Sequence, residues 1–421
     1  MDKKTSSFNL GKQGLGITML AFVSCYVYSA LTSDSLNVTI GVFGKMGMST
    51  DILYSLSSVA TICGIIGSII IGKIMSMKTV RLTWGVSMLL TGVFSIIWSH
   101  AHVVAVYAIG YLVCYTLALA SAMLLSGEVL ARWFPKKRGM AMGISTAGYP
   151  LSAATTTAVC NAFVGKAGIS GFYIYIAAIA IITGIIIIVF VRDFPEEKGA
   201  FPDNDKDFDF ELAKREHEKN LEYLKTSKWT VKKCISTGRM WLLWIAIGIN
   251  AFLSMGIMSN FVGKFMESGY KMPEILVMLA IAGVAAIPGS IFVGWIDVHF
   301  NTKTALISLG IFAVISVSFN LTPYHILHYI SLPFLAIMLG GASNMMVSCT
   351  SAIWGRYDFQ NAFRVIQPLN SIMTGIGITV VGIVGTHYGY TGAYEIMLVL
   401  AIIGLLAQIA LKVEPIDKDV R

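Results

Sequence analysis

Charged side chains are scarce in this sequence. Of its 421 residues only 13% are Asp, Glu, Lys or Arg, whereas 56% are hydrophobic and the mean hydropathy is +0.73. A soluble chain uses about a quarter of its residues as charges to cover its surface. The shortage argues against a water-soluble globular protein and indicates that most of the surface faces lipid.

Clusters of metal-ligating or nucleophilic residues are also lacking. The six cysteines form no C-x-x-C or Cys/His group, so neither a disulfide framework nor a metal site is predicted. No apolar segment combines His, Asp and Glu, which argues against a membrane-embedded enzyme. The first residues are polar and basic, and the apolar run after them is too long for a signal peptide, so no removable leader is expected.

Long apolar runs are what the sequence has in abundance. A helix that crosses a bilayer needs about 20 mostly apolar residues. Twelve such runs lie near residues 14–36, 52–72, 83–100, 103–127, 139–163, 171–191, 240–262, 273–293, 305–322, 329–353, 367–386 and 392–411.

The placement of the basic residues predicts an orientation. With both termini in the cytoplasm, 27 of the 31 basic residues lie inside, and the four outside are Lys45, Lys166, Lys264 and Lys271. This bias follows the positive-inside rule, so the net charge of +8 is a topology signal and no nucleic-acid partner is expected. Residues 192–239 are polar and are interpreted as a cytoplasmic linker between residues 1–191 and 240–421, with a surface helix over 208–225 as an alternative for part of it.

Two copies of one pattern occupy the two halves. Gly67–Gly72 (GSIIIG) recurs as Gly289–Gly294 (GSIFVG), 222 residues further on, and a cation follows nine residues after each, at Arg81 and Lys303. Other matches keep the same order: Phe43-Gly44-Lys45 with Val262-Gly263-Lys264, Trp133 with Trp354, and Pro150-Leu151 with Pro368-Leu369. Duplicated halves are typical of transporters. We therefore predict an all-α membrane protein with twelve transmembrane helices in two pseudo-symmetric six-helix bundles.

Two junction segments resemble the major facilitator superfamily. Arg132–Gly143 (RWFPKKRGMAMG) is similar to the junction of spans four and five in its oxalate–formate antiporter and monocarboxylate transporter branches. Arg192–Gly199 (RDFPEEKG) is similar to the segment after span six in antiporter-type members. The resemblance extends along essentially the whole chain, and it implies the major facilitator fold and a secondary carrier.

The resemblance also implies a gate at the inner helix ends. Arg81 fits the superfamily's signature between spans two and three, but Ser76 stands where an aspartate is usual. Glu128 lies one turn before Arg132 and is expected to pair with it. Inner cations can pair with acids or with helix C termini, and positive-inside topology alone is the alternative explanation. The gating candidates are Arg81, Arg132, Arg138, Asp297 and Lys303.

Polar groups inside the spans mark the candidate solute site, because such groups are costly in lipid and usually functional. Asp34, near the external end of span one, is the candidate carboxylate for proton coupling or cation binding, and a water-exposed helix end is the alternative. Interhelical hydrogen bonding is the alternative role for the uncharged candidates. These are Tyr28, Asn37, Tyr149, Asn250, Ser290, Asn344, Gln367, Asn370 and Thr374.

Fixed positive charge is missing where the resemblance would place it. Oxalate–formate antiporters bind carboxylates with basic residues in spans eight and eleven, which match Ser290 and about Met373 or Thr374 here. The span-one lysine of animal monocarboxylate carriers matches about Val38. A desolvated anion without a partner is costly. The resemblance implies a small organic acid, whereas the residues argue against a dianion and leave a monoanion or a neutral, zwitterionic or cationic solute open.

The predicted function is secondary transport of a small organic solute, as a symporter or an antiporter. A transporter-like solute sensor is the alternative, and a channel is disfavoured because no charged pore ring is seen. The expected partners are a small-molecule substrate and the lipid bilayer, with no cofactor besides a coupled proton or a counter-substrate. A monomer in the inner or plasma membrane is expected.

Overall fold

The structure, a computed structural model, describes residues 10–134 and 137–416, and these residues form helices and loops without a strand. Ten of their helical segments are long and apolar enough to cross a membrane, and two of the ten run for 50 residues each. Each long segment is divided by a glycine, Gly168 (φ 72°) or Gly389 (φ 83°), in a backbone conformation that residues with a side chain rarely adopt. This division gives the twelve spans that the sequence predicts.

The six spans of the first half are formed by Gly11–Ser29 with Ala30–Asp34 and Leu36–Lys45, Thr50–Met77, Val80–Ser99, Val104–Leu119 with Ala120–Leu125 and Ser126–Trp133, and Arg138–Thr146 with Gly148–Phe190. The last of these helices holds most of span five and all of span six. The six spans of the second half are formed by Gly238–Ser259, Met272–His299, Thr302–Asn320 and His325–Ala410. Spans ten to twelve lie in the final helix, separated at Gly355 and Gly389.

Spans two and eight extend further than their apolar runs predict. The sequence indicates 52–72 and 273–293, whereas the helices end at Met77 and His299. A helix satisfies its backbone hydrogen bonds internally and can therefore continue out of the hydrocarbon layer with polar residues. The hydropathy pattern marks only the residues inside the hydrocarbon layer, so it does not predict the helical turns that extend beyond it.

Two spans contain a π-helical segment, Ala30–Asp34 in span one and Ala120–Leu125 in span four. Side chains of neighbouring spans donate to carbonyls inside both: Tyr111 Oη to the Thr32 carbonyl (3.2 Å) and Cys25 Sγ to the Ala122 carbonyl (3.6 Å). Such segments are rare and are frequently found at functional sites. Neither is visible in the apolar pattern.

The chain divides into two compact units. Unit one consists of the described part of Met1–Thr32 with Cys63–Ser152 and Phe163–Glu211; unit two consists of Ser33–Ile62, Ala153–Ala162 and Leu212–Arg421. Unit two thus holds the outer portions of spans one, two and five as well as the second half, where outer means the side predicted to be external. The boundaries 1–191, 192–239 and 240–421 follow the sequence duplication and stay a prediction.

The linker contains the helix Phe210–Thr226, close to the segment 208–225 proposed from the sequence. Its end is fixed within unit two, because the hydroxyls of Tyr223 (3.0 Å) and Ser227 donate to the buried carboxylate of Asp358. Asn361 adds a hydrogen bond to the Trp229 carbonyl at 3.0 Å. This end of the linker is therefore attached to residues 358–361, which lie between Gly355 and the start of span eleven.

Candidate functional site

Unit one contains a group of tyrosines around span one. The Tyr28 hydroxyl donates to the Tyr115 hydroxyl at 3.3 Å, and the Tyr28 ring meets the rings of Tyr115 and Tyr149 edge to face, with centroids 5.7 and 6.1 Å apart. Tyr111 packs against Tyr115 at 6.1 Å. Two of the predicted residues, Tyr28 and Tyr149, are thus brought together. We call Tyr28, Tyr111, Tyr115 and Tyr149 the tyrosine group.

Close helix packing positions Tyr149. A side chain at the preceding residue, Gly148, would place its Cβ 2.3 Å from the Phe22 carbonyl oxygen, so span five approaches span one only because this residue is glycine. The Tyr149 hydroxyl contacts Met123 Sδ at 3.5 Å. Tyr111 and Tyr115 were not among the residues predicted from the sequence. Their four-residue spacing with Tyr107 is a signal that would have found them, since it places the three rings on one face of span four.

Unit two contains a second polar group, formed by amides and hydroxyls. Asn344 Nδ2 donates to Ser290 Oγ at 2.7 Å and thereby joins spans eight and ten. Glycine again allows the approach, because a Cβ at Gly340 would lie 2.1 Å from the Ala286 carbonyl oxygen. Both predicted residues are therefore present in one interhelical hydrogen bond.

Three predicted residues of span eleven share a helix face. Gln367, Asn370 and Thr374 follow the three- and four-residue spacing that aligns side chains on one side. The Thr374 hydroxyl donates to the Asn370 carbonyl at 3.1 Å, whereas the Asn370 Oδ1 acceptor is buried and has no hydrogen-bond partner among the described residues. A buried acceptor without a partner is costly, and a solute donor would satisfy it. Asn250 is buried and donates to the Ala246 carbonyl of its own helix at 3.4 Å.

Asp34 lies in the outer portion of span one. It is only 4% exposed, so little of it is in contact with water. Its carboxylate accepts from the Ser33 hydroxyl at 3.3 Å, and its carbonyl accepts from the Thr157 hydroxyl of span five at 2.9 Å. The contact between spans one and five is thus made by the Asp34 backbone, next to the buried carboxylate.

Asn37 connects span one to span seven. Its Nδ2 donates to the Met258 carbonyl at 2.7 Å, and its Oδ1 accepts from the Val262 N–H at 3.1 Å. These two backbone groups flank Asn260, where span seven ends and the short helix Phe261–Glu267, here called the outer helix, begins. Both polar atoms of the Asn37 side chain thus bind backbone groups at the break between span seven and the outer helix.

Span two is attached to span eleven in the same outer region. The Thr379 hydroxyl donates to the Tyr54 carbonyl at 2.7 Å and lies 2.8 Å from the Ser58 hydroxyl. A Cβ at Gly382 would lie 2.3 Å from the Tyr54 ring, so glycine is required there. The Asp51 carboxylate and His387 Nε2 form a hydrogen bond of 2.6 Å near the helix ends, which is an ion pair when the imidazole is protonated.

Span five meets span eight through glycine as well. A Cβ at Gly283 would lie 2.6 Å from the Ala154 backbone nitrogen. Within unit two, the outer portions of spans one, two and five are therefore held against spans seven, eleven and eight. We call these contacts the outer clamp, defined by Asn37, Asp51, Tyr54, Ser58 and Ala154 with the partners given above.

An acidic residue organises the inner ends of unit one. Arg132 pairs with Glu128 at 3.1 Å, as the four-residue spacing predicts, and also with Asp193 at 3.5 Å. The Asp193 carboxylate further accepts the backbone N–H groups of Val80 (2.9 Å) and Arg81 (2.8 Å) at the start of span three. Asp193 was not predicted as a functional residue, because the segment Arg192–Gly199 was interpreted only by its resemblance to the loop after span six in antiporter-type members. The side chain of Arg138 lies outside the described residues.

In unit two the inner helix ends are joined by a cation, Lys303. Lys303 Nζ donates to the carbonyls of Gln408 (2.7 Å), Ile409 (2.6 Å) and Leu411 at the C terminus of span twelve. Asp297 accepts from the Thr302 hydroxyl at 2.6 Å. Positive charge at a helix C terminus is favourable, so Lys303 fixes the start of span nine to the end of span twelve.

Comparisons with known proteins identify the family. The model of the Major Facilitator Superfamily matches residues 15–363, and the chain belongs to this superfamily. It is therefore a multi-pass membrane protein of a transporter superfamily rather than an enzyme.

Individual relatives are distant. The oxalate:formate antiporter of Oxalobacter formigenes is 26% identical over 302 residues, which cover 69% of this chain and 66%, just under two thirds, of the antiporter. Two structures of a bacterial homolog to the human lysosomal transporter Spinster, inward-facing and either unoccupied or occupied, give TM-scores of 0.69 and 0.67. Their sequence identities to this chain are 13% and 12%. Both matches cover 94% of this chain, and they cover 96% and 95% of the two solved chains, respectively. These structures support the fold.

Proposed function

We propose that this transporter is a secondary active carrier of small monocarboxylates that works by alternating access in the cell membrane. The observation that carries the proposal is the outer clamp, which attaches spans one and two to second-half spans by a few separate hydrogen bonds and span five by close packing at Gly283. Such bonds contribute about 0.5–1.5 kcal/mol each. A clamp of this strength is compatible with an equilibrium between closed and open outer ends that a bound solute can shift.

The substrate class follows from the chemistry of the candidate groups. The tyrosine group and the Ser290–Asn344 pair offer hydroxyl and amide donors, none of which carries a fixed charge. Such donors suffice for one carboxylate, whereas a second carboxylate would be desolvated without a cation. The named function of the antiporter relative supports a carboxylate as substrate. We therefore favour monocarboxylates over dicarboxylates, and leave exchange and proton symport as the two modes.

Counterflow in proteoliposomes tests the proposal. Vesicles loaded with unlabelled formate, acetate or lactate are expected to accumulate the same labelled solute transiently, because a carrier exchanges faster than it moves net solute. Oxalate, amines and sugars serve as the comparison panel. Absence of exchange with every member would contradict a carrier function, binding without exchange would favour the sensor, and faster exchange of amines or sugars would contradict the substrate class.

We further propose that Asp34 is the proton-coupling carboxylate if the mode is symport. It is buried, and its backbone carbonyl accepts a hydrogen bond from Thr157 of span five, so its carboxylate lies beside a contact between two spans. The variant Asp34→Asn is expected to retain exchange and to lose the dependence of net uptake on external pH. An unchanged pH dependence in Asp34→Asn would remove Asp34 from this role.

A further inference from the structure

Unit two contains a polar pocket of about 440 Å³ on its outer side. Its lining includes Lys264 and Glu267 of the outer helix, Thr322 after span nine, His328 of span ten and Thr391 of span twelve. The volume falls in the range of small-molecule sites. None of these residues belongs to the candidate solute site described above.

Lys264 brings a buried positive charge to this pocket. The residue is only 4% exposed, and its Nζ lies 3.3 Å from the Thr391 hydroxyl oxygen and 5.3 Å from the centroid of the Tyr394 ring. An ammonium has three donors, and the Thr391 hydroxyl is the one hydrogen-bond acceptor found for it among the described residues. Burial lowers the pKa of Lys264, although the nearby Glu267 carboxylate opposes the change. An anion in the pocket would stabilise the charged form.

Glu267 is largely engaged in a structural role. Its carboxylate accepts the N–H of Tyr390 (2.5 Å), the N–H of Thr391 (3.0 Å) and the Thr391 hydroxyl (2.9 Å) at the start of span twelve. Burial acts to raise the pKa of Glu267, but these hydrogen bonds outweigh it and leave the pKa below its ordinary value. The carboxylate therefore stays charged and caps a helix, while Lys264 keeps donors to spare.

His328 forms a second polar part of the wall. One ring nitrogen, Nε2, lies 2.9 Å from the Thr322 carbonyl and must donate to it, which leaves Nδ1 to interact with the Tyr270 hydroxyl at 3.0 Å. The Tyr270 hydroxyl also donates to the His325 carbonyl at 3.2 Å, so Tyr270 joins both histidines at the start of span ten. The Glu267 carboxylate is the anion found in the lining, and it is engaged by the backbone of span twelve, whereas the free donors of the pocket belong to Lys264.

We propose that this outer pocket binds a small carboxylate anion, with the Lys264 ammonium as its charge partner. The choice of a carboxylate rests on the proposed function. The pocket would then supply, on the outer side, the positive charge that Ser290, Thr374 and Val38 do not provide. It would act as a capture or regulatory site for the carboxylate and not as the transport site.

The chain contains a matched control for Lys264. Lys45 has the same place in the first copy of the repeat, two residues after Phe43 as Lys264 follows Val262, yet it is exposed. A neutral substitution at Lys45 therefore removes an outer positive charge without changing the pocket.

Cysteine modification at the pocket tests the proposal. Thr322→Cys is introduced after Cys63, a half-buried thiol, is replaced by serine, and purified protein is treated with thiosulfonate reagents of opposite charge. The anionic reagent is expected to react several-fold faster than the cationic one, and acetate or formate at millimolar concentration is expected to slow it several-fold. Both effects should disappear in Lys264→Met and persist in Lys45→Met.

Two further arms keep the test decisive. Lys264→Arg retains the charge and is expected to retain carboxylate protection, which separates loss of charge from misfolding of the buried methionine variant. Equal protection in Lys264→Met and the parent, or no protection in the parent, would overturn the proposal. Because the labelling is measured without transport, pocket binding can succeed while counterflow fails, and the reverse.

Discussion

The two copies of the repeat place cations at matching positions and use them differently. Arg81 opens span three and Lys303 opens span nine. In unit one, Asp193 from the end of span six accepts the backbone N–H of Arg81. In unit two, Lys303 Nζ donates to the last carbonyls of span twelve. One copy places an acid at a helix N terminus and the other a cation at a helix C terminus, and both arrangements have the sign that the helix dipole favours.

The two copies of the repeat also differ in the residues at their outer helix ends. Lys45 is exposed, whereas Lys264 is buried beneath the start of span twelve. The position that matches Asn37 in the second copy is Gly256, so only the first copy carries the amide that bridges to span seven. Duplication thus accounts for the course of the helices, and the residues at their ends account for the different roles of the copies.

The largest expected effect comes from the amide that only the first copy has. Asn37→Ala leaves the Met258 carbonyl and the Val262 N–H without partners, and each loss costs about 1–3 kcal/mol. The outer clamp should open more often, so that a cysteine at the buried position Ser57 reacts roughly tenfold faster or more with a membrane-impermeant maleimide. The labelling rate in detergent measures this. Lys45→Met, on the same helix, should leave the rate unchanged, and an unchanged rate in Asn37→Ala would show that Asn37 is no clamp.

The next effect compares the two inner cations. Lys303→Met removes charge-assisted hydrogen bonds to helix-terminal carbonyls, which is expected to lower the free energy of unfolding by about 1–3 kcal/mol. Arg81→Met should have a smaller effect, because the hydrogen bond seen for Arg81 uses its backbone. Thermal unfolding followed by tryptophan fluorescence measures both variants. A larger loss in Arg81→Met would contradict the comparison.

A smaller effect is expected at Asp193. This acid holds the start of span three in unit one, as Lys303 holds the start of span nine in unit two. Asp193→Asn keeps one acceptor oxygen but loses the other and the charge that faces Arg132. Loss of a helix cap costs about 0.5–2 kcal/mol, and the polar amide should keep the loss near the lower end. Asp193→Ala serves as the harsher comparison in the same unfolding assay. Equal stability of all three proteins would mean that Asp193 does not hold span three.

The smallest effect is expected at the ion pair of Asp51 with His387. Both side chains are substantially exposed, and exposed pairs contribute about 0–1 kcal/mol. Asp51→Asn should therefore raise the Ser57→Cys labelling rate by less than fivefold, and the difference should vanish at about 1 M salt, where screening acts over a few ångströms. A change as large as that of Asn37→Ala would contradict this ranking.

Much of the fold could be predicted from the sequence, because lipid imposes a simple rule on span length and composition. The twelve spans, the duplication and the Glu128–Arg132 pair follow from patterns a few residues to one span long. Asp193 and Asp358 could not be predicted, since their partners lie on helices distant in sequence. The π-helical segments were invisible because they change backbone bonding without changing hydropathy.

The candidate site shows the same limit. Tyr28 with Tyr149 and Ser290 with Asn344 were singled out as polar residues in apolar spans, and the structure brings each pair together. Their roles in binding stay predictions. Asn37 was chosen by the same criterion, and its bond to the span-seven break could not be foreseen, since the break at Asn260 interrupts an apolar run without a proline or glycine.

Cross-linking of the outer ends tests alternating access most directly. Cysteines replace Asp51 and His387, whose side chains meet in the outer clamp, and a short bifunctional thiosulfonate joins them in proteoliposomes. We predict that cross-linking abolishes counterflow, that a monofunctional reagent of similar size does not, and that reduction restores exchange. Full counterflow in quantitatively cross-linked protein would contradict the account, because the outer ends would then not need to separate.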